Sequence, residues 1–95
     1  MILRLKQTSK NRPEMRDTLA WVRFRTAGWQ STLPVFVDLA KTYPDNSVYR
    51  YHLGAALLQK GERQKAGDEL QAALNAHPDS LTATNVRRLL QSLGR

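Results

Sequence analysis

The sequence predicts an all-α fold made of two antiparallel helix-turn-helix units and one closing helix. Three observations predict it. The first is a period of 34 residues: residues 13–46 lie over residues 47–80 without a gap, pairing Leu19 with Leu53, Ala20 with Gly54, Phe36 with Leu70, and Tyr43-Pro44-Asp45 with His77-Pro78-Asp79. The second is that apolar residues recur at helical intervals within each half-unit, as in Leu53, Ala56, Leu57 and in Ala66, Leu70, Ala73, Leu74. The third is punctuation, because Gly28 and Gly61 fall between the halves and Pro44 and Pro78 close the units. With 41% apolar residues but only two Trp, three Tyr and two Phe among 95 residues, the core must be mostly Leu, Ala and Val. A chain of this length makes one domain or a piece of a longer array.

Taken in order, residues 1–12 are an N-terminal extension or the remnant of a preceding repeat helix. Extending the repeat backward puts Ile2 and Leu5 on apolar positions of such a helix, with Lys10 where Pro is expected. Residues 13–46 form the first unit, with Pro34 near the start of its second helix, where a missing backbone donor is least costly. Residues 47–80 form the second. Asn46 or Asp45 caps a helix running to about Lys60, Gly61 ends it, and the next helix runs from about Arg63 to Ala76, with Pro78 forcing an extended residue at His77. Ser31, Ser47 and Ser80 stand near helix starts, where a hydroxyl caps backbone donors. Gly54 and Ala66 are small where two helices must cross closely. Residues 81–95 form a capping helix with Leu81, Val86, Leu89, Leu90 and Leu93 on one face.

Charge separates the ends from the middle. Residues 1–25 carry +5, residues 26–80 carry −1 and residues 81–95 carry +3, which together make the net +7. Basic ends suit an acidic protein face, a nucleic acid or an anionic surface. The absence of cysteine excludes disulfides and thiolate metal sites and leaves the redox compartment undetermined. Met1 to Lys10 falls far short of a signal-peptide core, which favours the cytoplasm slightly for a complete chain, and no stretch approaches a membrane span. His52 and His77 have no partner at metal-ligand spacing, no nucleophile-elbow motif surrounds a serine, and the glycines form no phosphate loop. The expectation is a binding protein with no enzyme activity and no cofactor.

These residues resemble the tetratricopeptide repeat. Leu53, Gly54, Leu57, Ala66, Leu70, Ala73 and Pro78 fill the signature positions of the second unit, and only Arg50 departs. The first unit keeps Leu19, Ala20, Phe36 and Pro44 and has Arg16, Arg23, Thr32 and Leu39 at the other positions. The phrases DTLAWVRFRTAGW and YRYHLGAALLQKGE are similar to the last repeats of long bacterial proteins of that family. The resemblance implies a right-handed superhelix whose first helices line a concave groove for a peptide or helix. That groove would be lined by Asp17, Trp21, Phe24 and Arg25 from the first unit and by Val48, Tyr51, Ala55, Leu58 and Gln59 from the second. The family's clamp for carboxylate termini is not supported, because Asp17, Trp21, Tyr51 and Ala55 stand where its Lys, Asn and Arg are needed.

The implied partner is a protein or peptide. A rival reading uses Arg16, Arg23 and Arg25 as a nucleic-acid surface, although no recognition-helix or RNA-binding motif accompanies them. A third reading is a homodimer whose own subunits fill the groove, since such arrays usually need three repeats and the chain has two and a cap.

Overall fold

In the computed structural model, which describes residues 12–95, the first helix begins at a proline. Helix α1 spans Pro13–Ala27, with Pro13 in the first turn, where its missing N–H has no helical acceptor, and Glu14 near the positive end of the helix dipole. Gly28 ends α1 at φ 96° and ψ −169°, a conformation essentially restricted to glycine, and its N–H donates to the Phe24 carbonyl at 2.9 Å. The turn that follows is tied by the Thr32 and Leu33 N–H groups, both donating to the Trp29 carbonyl. Helix α2 spans Leu33–Thr42 and carries Pro34 in its first turn, as expected. Helix α3 spans Ser47–Lys60, capped by Asn46, whose side chain accepts the Tyr49 N–H at 3.0 Å, and stopped by Gly61 at φ 99°. Helix α4 spans Arg63–Asn75 and helix α5 spans Ser80–Ser92. No strand occurs among the described residues. The reading of Ile2 and Leu5 as part of a preceding helix falls on residues 1–11 and lies outside the described residues.

Three local expectations are corrected. The helix caps are Asn46 and Asp79, while Ser47 and Ser80 are the first helical residues and Ser31 lies in a turn, one residue ahead of the α2 cap position. Asp79 accepts the Thr82 N–H at 2.7 Å, and that hydrogen bond holds its carboxyl below the ordinary range. His77 is not extended but has φ 58°, because the chain must reverse out of α4 within four residues and Pro78 keeps His77 out of the right-handed helical region. Leu81 is 71% exposed, since helical geometry puts it roughly 140° around α5 from Val86, and the covered face consists of Thr82, Ala83, Val86 and Leu90.

Each helix packs on the next along the chain, most extensively α3 on α4. In addition α1 touches α3 and α3 touches α5, whereas α2 and α4 do not approach each other closely. The odd helices are thus in contact along the chain, α1 with α3 and α3 with α5, while the even helices stay apart. One core cluster joins Ala20 and Phe24 of α1, Phe36 and Ala40 of α2, Leu53, Ala56 and Leu57 of α3 and Ala66 of α4. A second joins Leu70 and Ala73 of α4 to Val86 and Leu90 of α5. The departures from the repeat pattern in the first unit are accommodated rather than left as defects. Thr32, where Ala66 stands in the second unit, is fully buried with its hydroxyl donating to the Gly28 carbonyl, and Leu39 is fully buried where Ala73 stands. Arg16 and Arg50 occupy the same repeat position and do the same thing: Arg16 pairs with Asp38 of α2 at 3.0 Å, and Arg50 pairs with Glu69 of α4 at 2.9 Å. The first ties α1 to α2 and the second ties α3 to α4.

The two helical glycines have opposite consequences. A Cβ on Gly54 would stand 2.7 Å from Cγ and Cδ2 of Leu70, a side chain with no free volume, so α3 and α4 cross closely there as the sequence suggests. Overpacking outweighs the gain in helix propensity, and Gly54→Ala is expected to lower stability by about 1 kcal/mol. At Gly67 the obstacle is only the guanidinium of Arg95, the end of a flexible side chain. Gly67→Ala is expected to raise stability by up to about 1 kcal/mol as Arg95 swings away. Urea denaturation of the two variants, followed by circular dichroism, reads both signs.

Candidate functional site

The aromatic residues singled out in the sequence meet between α1 and α3. Trp21 stacks flat on His52, ring centroids 3.9 Å apart and 12° from parallel, and lies 5.4 Å from Tyr51 and 5.2 Å from Phe24. Spacing explains the meeting, because Tyr51 and His52 turn the second turn of α3 toward the middle of α1, where Asp17, Trp21 and Phe24 follow one another at helical intervals. Trp21, Tyr51, Ala55 and Leu58 are half-buried: their inner sides pack on the core and their outer sides face water. Val48 is half-buried, and Arg25 and Gln59 are exposed.

Asp17 and Phe24 are placed differently. Phe24 is core, packed edge-on against Phe36 at 6.1 Å. Asp17 is 5% exposed and accepts a hydrogen bond from His52 Nδ1 at 2.7 Å, with His52 itself 6% exposed. These two support the face from beneath and do not line it. The Asp17–His52 pair was not readable from spacing within one helix, because its members lie 35 residues apart. Enclosed under the Trp21 ring, it is a structural tie between α1 and α3. The negative field of Asp17 also reaches the buried Tyr49, whose phenol is pushed up first by burial and then by the charges of Asp17 and Glu14.

Tyr51 marks where charge enters the face. Burial raises its phenol pKa, and the nearby guanidinium groups of Arg25 on α1 and Arg88 on α5 pull in the opposite direction. The charges of Arg25 and Arg88 thus both act at Tyr51. Neither arginine has a carboxylate within ion-pair distance among the described residues. Comparison with the models of known protein families, with curated proteins and with solved structures finds no match.

The arginines considered for nucleic acid do not form one surface. Arg16 is committed to Asp38 and lines one depression with Leu19, Val22 and Arg23, whereas the charge of Arg25 acts at Tyr51 of α3. Among the described residues no three His, Asp or Glu side chains gather as metal ligands, and no helix is long and apolar enough to cross a membrane. Trp29 packs on the core with the Lys60 ammonium 5.4 Å over its ring.

Proposed function

We propose that the chain is a protein-interaction module of the tetratricopeptide type, with units 13–46 and 47–80 and a terminal helix, that holds a peptide or helix along the face made by α1, α3 and α5. The 34-residue period and the signature residues of the second unit support the repeat. The mutual contact of the odd helices, against the separation of α2 and α4, fits an inner and an outer layer. The observation that carries the reading is the half-exposed Trp21–Tyr51 pair, continued by Ala55 and Leu58 along α3. Rigid aromatic rings already held by core contacts bind at little entropic cost, and such residues dominate interface energies. Arg25 and Arg88, exposed and with charges that act at Tyr51, add a preference for acidic segments. The reading is of a binding protein and not of a catalyst, since its His–Asp pair is enclosed and structural.

A random peptide library displayed on phage and selected on the folded chain tests this. Selected peptides are expected to combine apolar with acidic residues. Tyr51→Ala and Leu58→Ala are expected to weaken the best peptide at least about tenfold while circular dichroism stays helical. Arg25→Glu with Arg88→Glu, both at exposed positions, provides a second variant that leaves packing untouched. Undiminished affinity in all of these would move the site to another face.

A further inference from the structure

On the other side of α1 runs an apolar stripe that no described element covers. Met15, Leu19 and Val22 follow one another at helical spacing and are 48%, 66% and 56% exposed. Between the stripe and α2 lies a depression lined by Arg16, Leu19, Val22, Arg23 and Val35.

The second unit shows what such a stripe is built for. The residues 34 positions on are Tyr49, Leu53 and Ala56, and these are 5%, 7% and 0% exposed. Leu53 and Ala56 are buried in a cluster to which the neighbouring even helix α2 contributes Phe36 and Ala40, alongside Ala20 and Phe24 of α1 and Ala66 of α4. The corresponding cover for α1 is therefore an amphipathic helix with an aliphatic or aromatic stripe.

Charge selects among the sources of that helix. Arg12, Glu14, Arg16 and Arg23 border the stripe, Arg16 is neutralised by Asp38, and Arg12 and Arg23 have no carboxylate within ion-pair distance among the described residues, so the border is net positive in spite of Glu14. The leading segment of the chain carries Arg4, Lys6 and Lys10 and no acidic residue, so its charge is of the same sign as this border. A second copy offering its own α1 brings the same arginines to the same border. Like charges facing each other oppose docking, and opposite charges favour it.

We propose that the outer face of α1 is a second docking surface, separate from the α1–α3–α5 face, and that it takes an amphipathic helix of another protein with carboxylates flanking its apolar stripe. The partner's stripe takes the place of a preceding even helix, and its carboxylates meet Arg12 and Arg23.

Two synthetic helical peptides provide the test. Both carry the apolar stripe of α2, with Leu, Phe, Val and Ala spaced as Leu33, Phe36, Val37 and Ala40, and they differ only in flanking residues, all Glu in one and all Lys in the other. Binding to the full chain is measured by fluorescence anisotropy, and the thermal midpoint and solution mass of each variant are recorded. The Glu peptide is expected to bind at least about tenfold more tightly than the Lys peptide, and the preference to reverse in Arg23→Glu. Leu19→Glu is expected to weaken the Glu peptide at least tenfold with an unchanged thermal midpoint, because Leu19 is already exposed, and Tyr51→Ala is expected to leave this binding unchanged. Equal binding of the two peptides overturns the proposal. So does a thermal midpoint lowered by Leu19→Glu, which assigns the stripe to residues 1–11, or a wild-type dimer split by Leu19→Glu, which assigns it to a second copy. Loss of binding in Tyr51→Ala alone also overturns it, by placing the peptide on the other face.

Discussion

Replacing His52 with alanine is expected to destabilise the chain by about 3 kcal/mol or more, because the change leaves the Asp17 carboxylate 5% exposed without its hydrogen-bond donor. The same substitution removes the ring on which Trp21 lies, at 3.9 Å between centroids, and opens a void beside Phe36 at 5.7 Å. Asp17→Asn should cost clearly less, since the amide oxygen still accepts from His52 Nδ1. The double variant should cost less than the sum of Asp17→Ala and His52→Ala, because the two side chains share one hydrogen bond. Urea denaturation of the four proteins measures this cycle. A His52→Ala penalty under about 1 kcal/mol, near that of an ordinary exposed position, would mean that the pair does not tie α1 to α3.

Phe36→Ala is expected to cost about 3–5 kcal/mol, the usual range for removing a fully buried phenyl ring. Phe36 is 0% exposed and its ring meets Trp21 at 6.3 Å, Phe24 at 6.1 Å and His52 at 5.7 Å, so one side chain joins α1, α2 and α3. Total stability for a chain of this size is roughly 5–14 kcal/mol, so the loss is a large share of what holds the helices together. The thermal transition of Phe36→Ala should be low and broad, with reduced near-ultraviolet dichroism from the disrupted aromatic group. A sharp transition close to that of the wild-type chain would place the main core elsewhere.

The helices were legible in the sequence where their signals are local. Asn46 beside Ser47, Gly61 after Lys60 and Pro34 at the start of α2 act on backbone groups within four residues, and each acts as its residue type dictates. The close crossing at Gly54 was legible for a different reason, because a glycine inside a helical stripe costs propensity unless something approaches it. Local signals with near-equal alternatives were misread. Asp79 and Ser80 are both good caps and the choice falls on the one with extended backbone; His77 had to leave the right-handed region before Pro78, and the reversal after α4 takes it to positive φ rather than to an extended angle.

The candidate face was legible in its chemistry but not in its depth. Repeat position alone placed Asp17 with Tyr51, since both are fifth in their units, but one is interior and the other half-exposed. The period itself hid the Asp17–His52 pair, because the bond joins the fifth residue of one unit to the sixth of the next, and the equivalent positions hold Thr18 and Tyr51. A pairing present once cannot announce itself as a repeat. Leu19 shows the converse: its match to Leu53 is real in sequence, yet their exposures of 66% and 7% differ because only Leu53 has an even helix before it among the described residues.

The central claim is that a partner segment lies along α1, α3 and α5, over Trp21 and Tyr51. Its most direct test is a titration of the isotopically labelled chain with the selected peptide, followed by nuclear magnetic resonance. The two tryptophans make the outcome readable, since Trp21 lies against Tyr51 and Trp29 lies under Lys60. The account predicts that the indole N–H of Trp21 and the amides of residues 51–58 shift while the indole of Trp29 stays in place. Shifts confined to Trp29 and the amides of α2 and α4, with Trp21 unmoved, would contradict it.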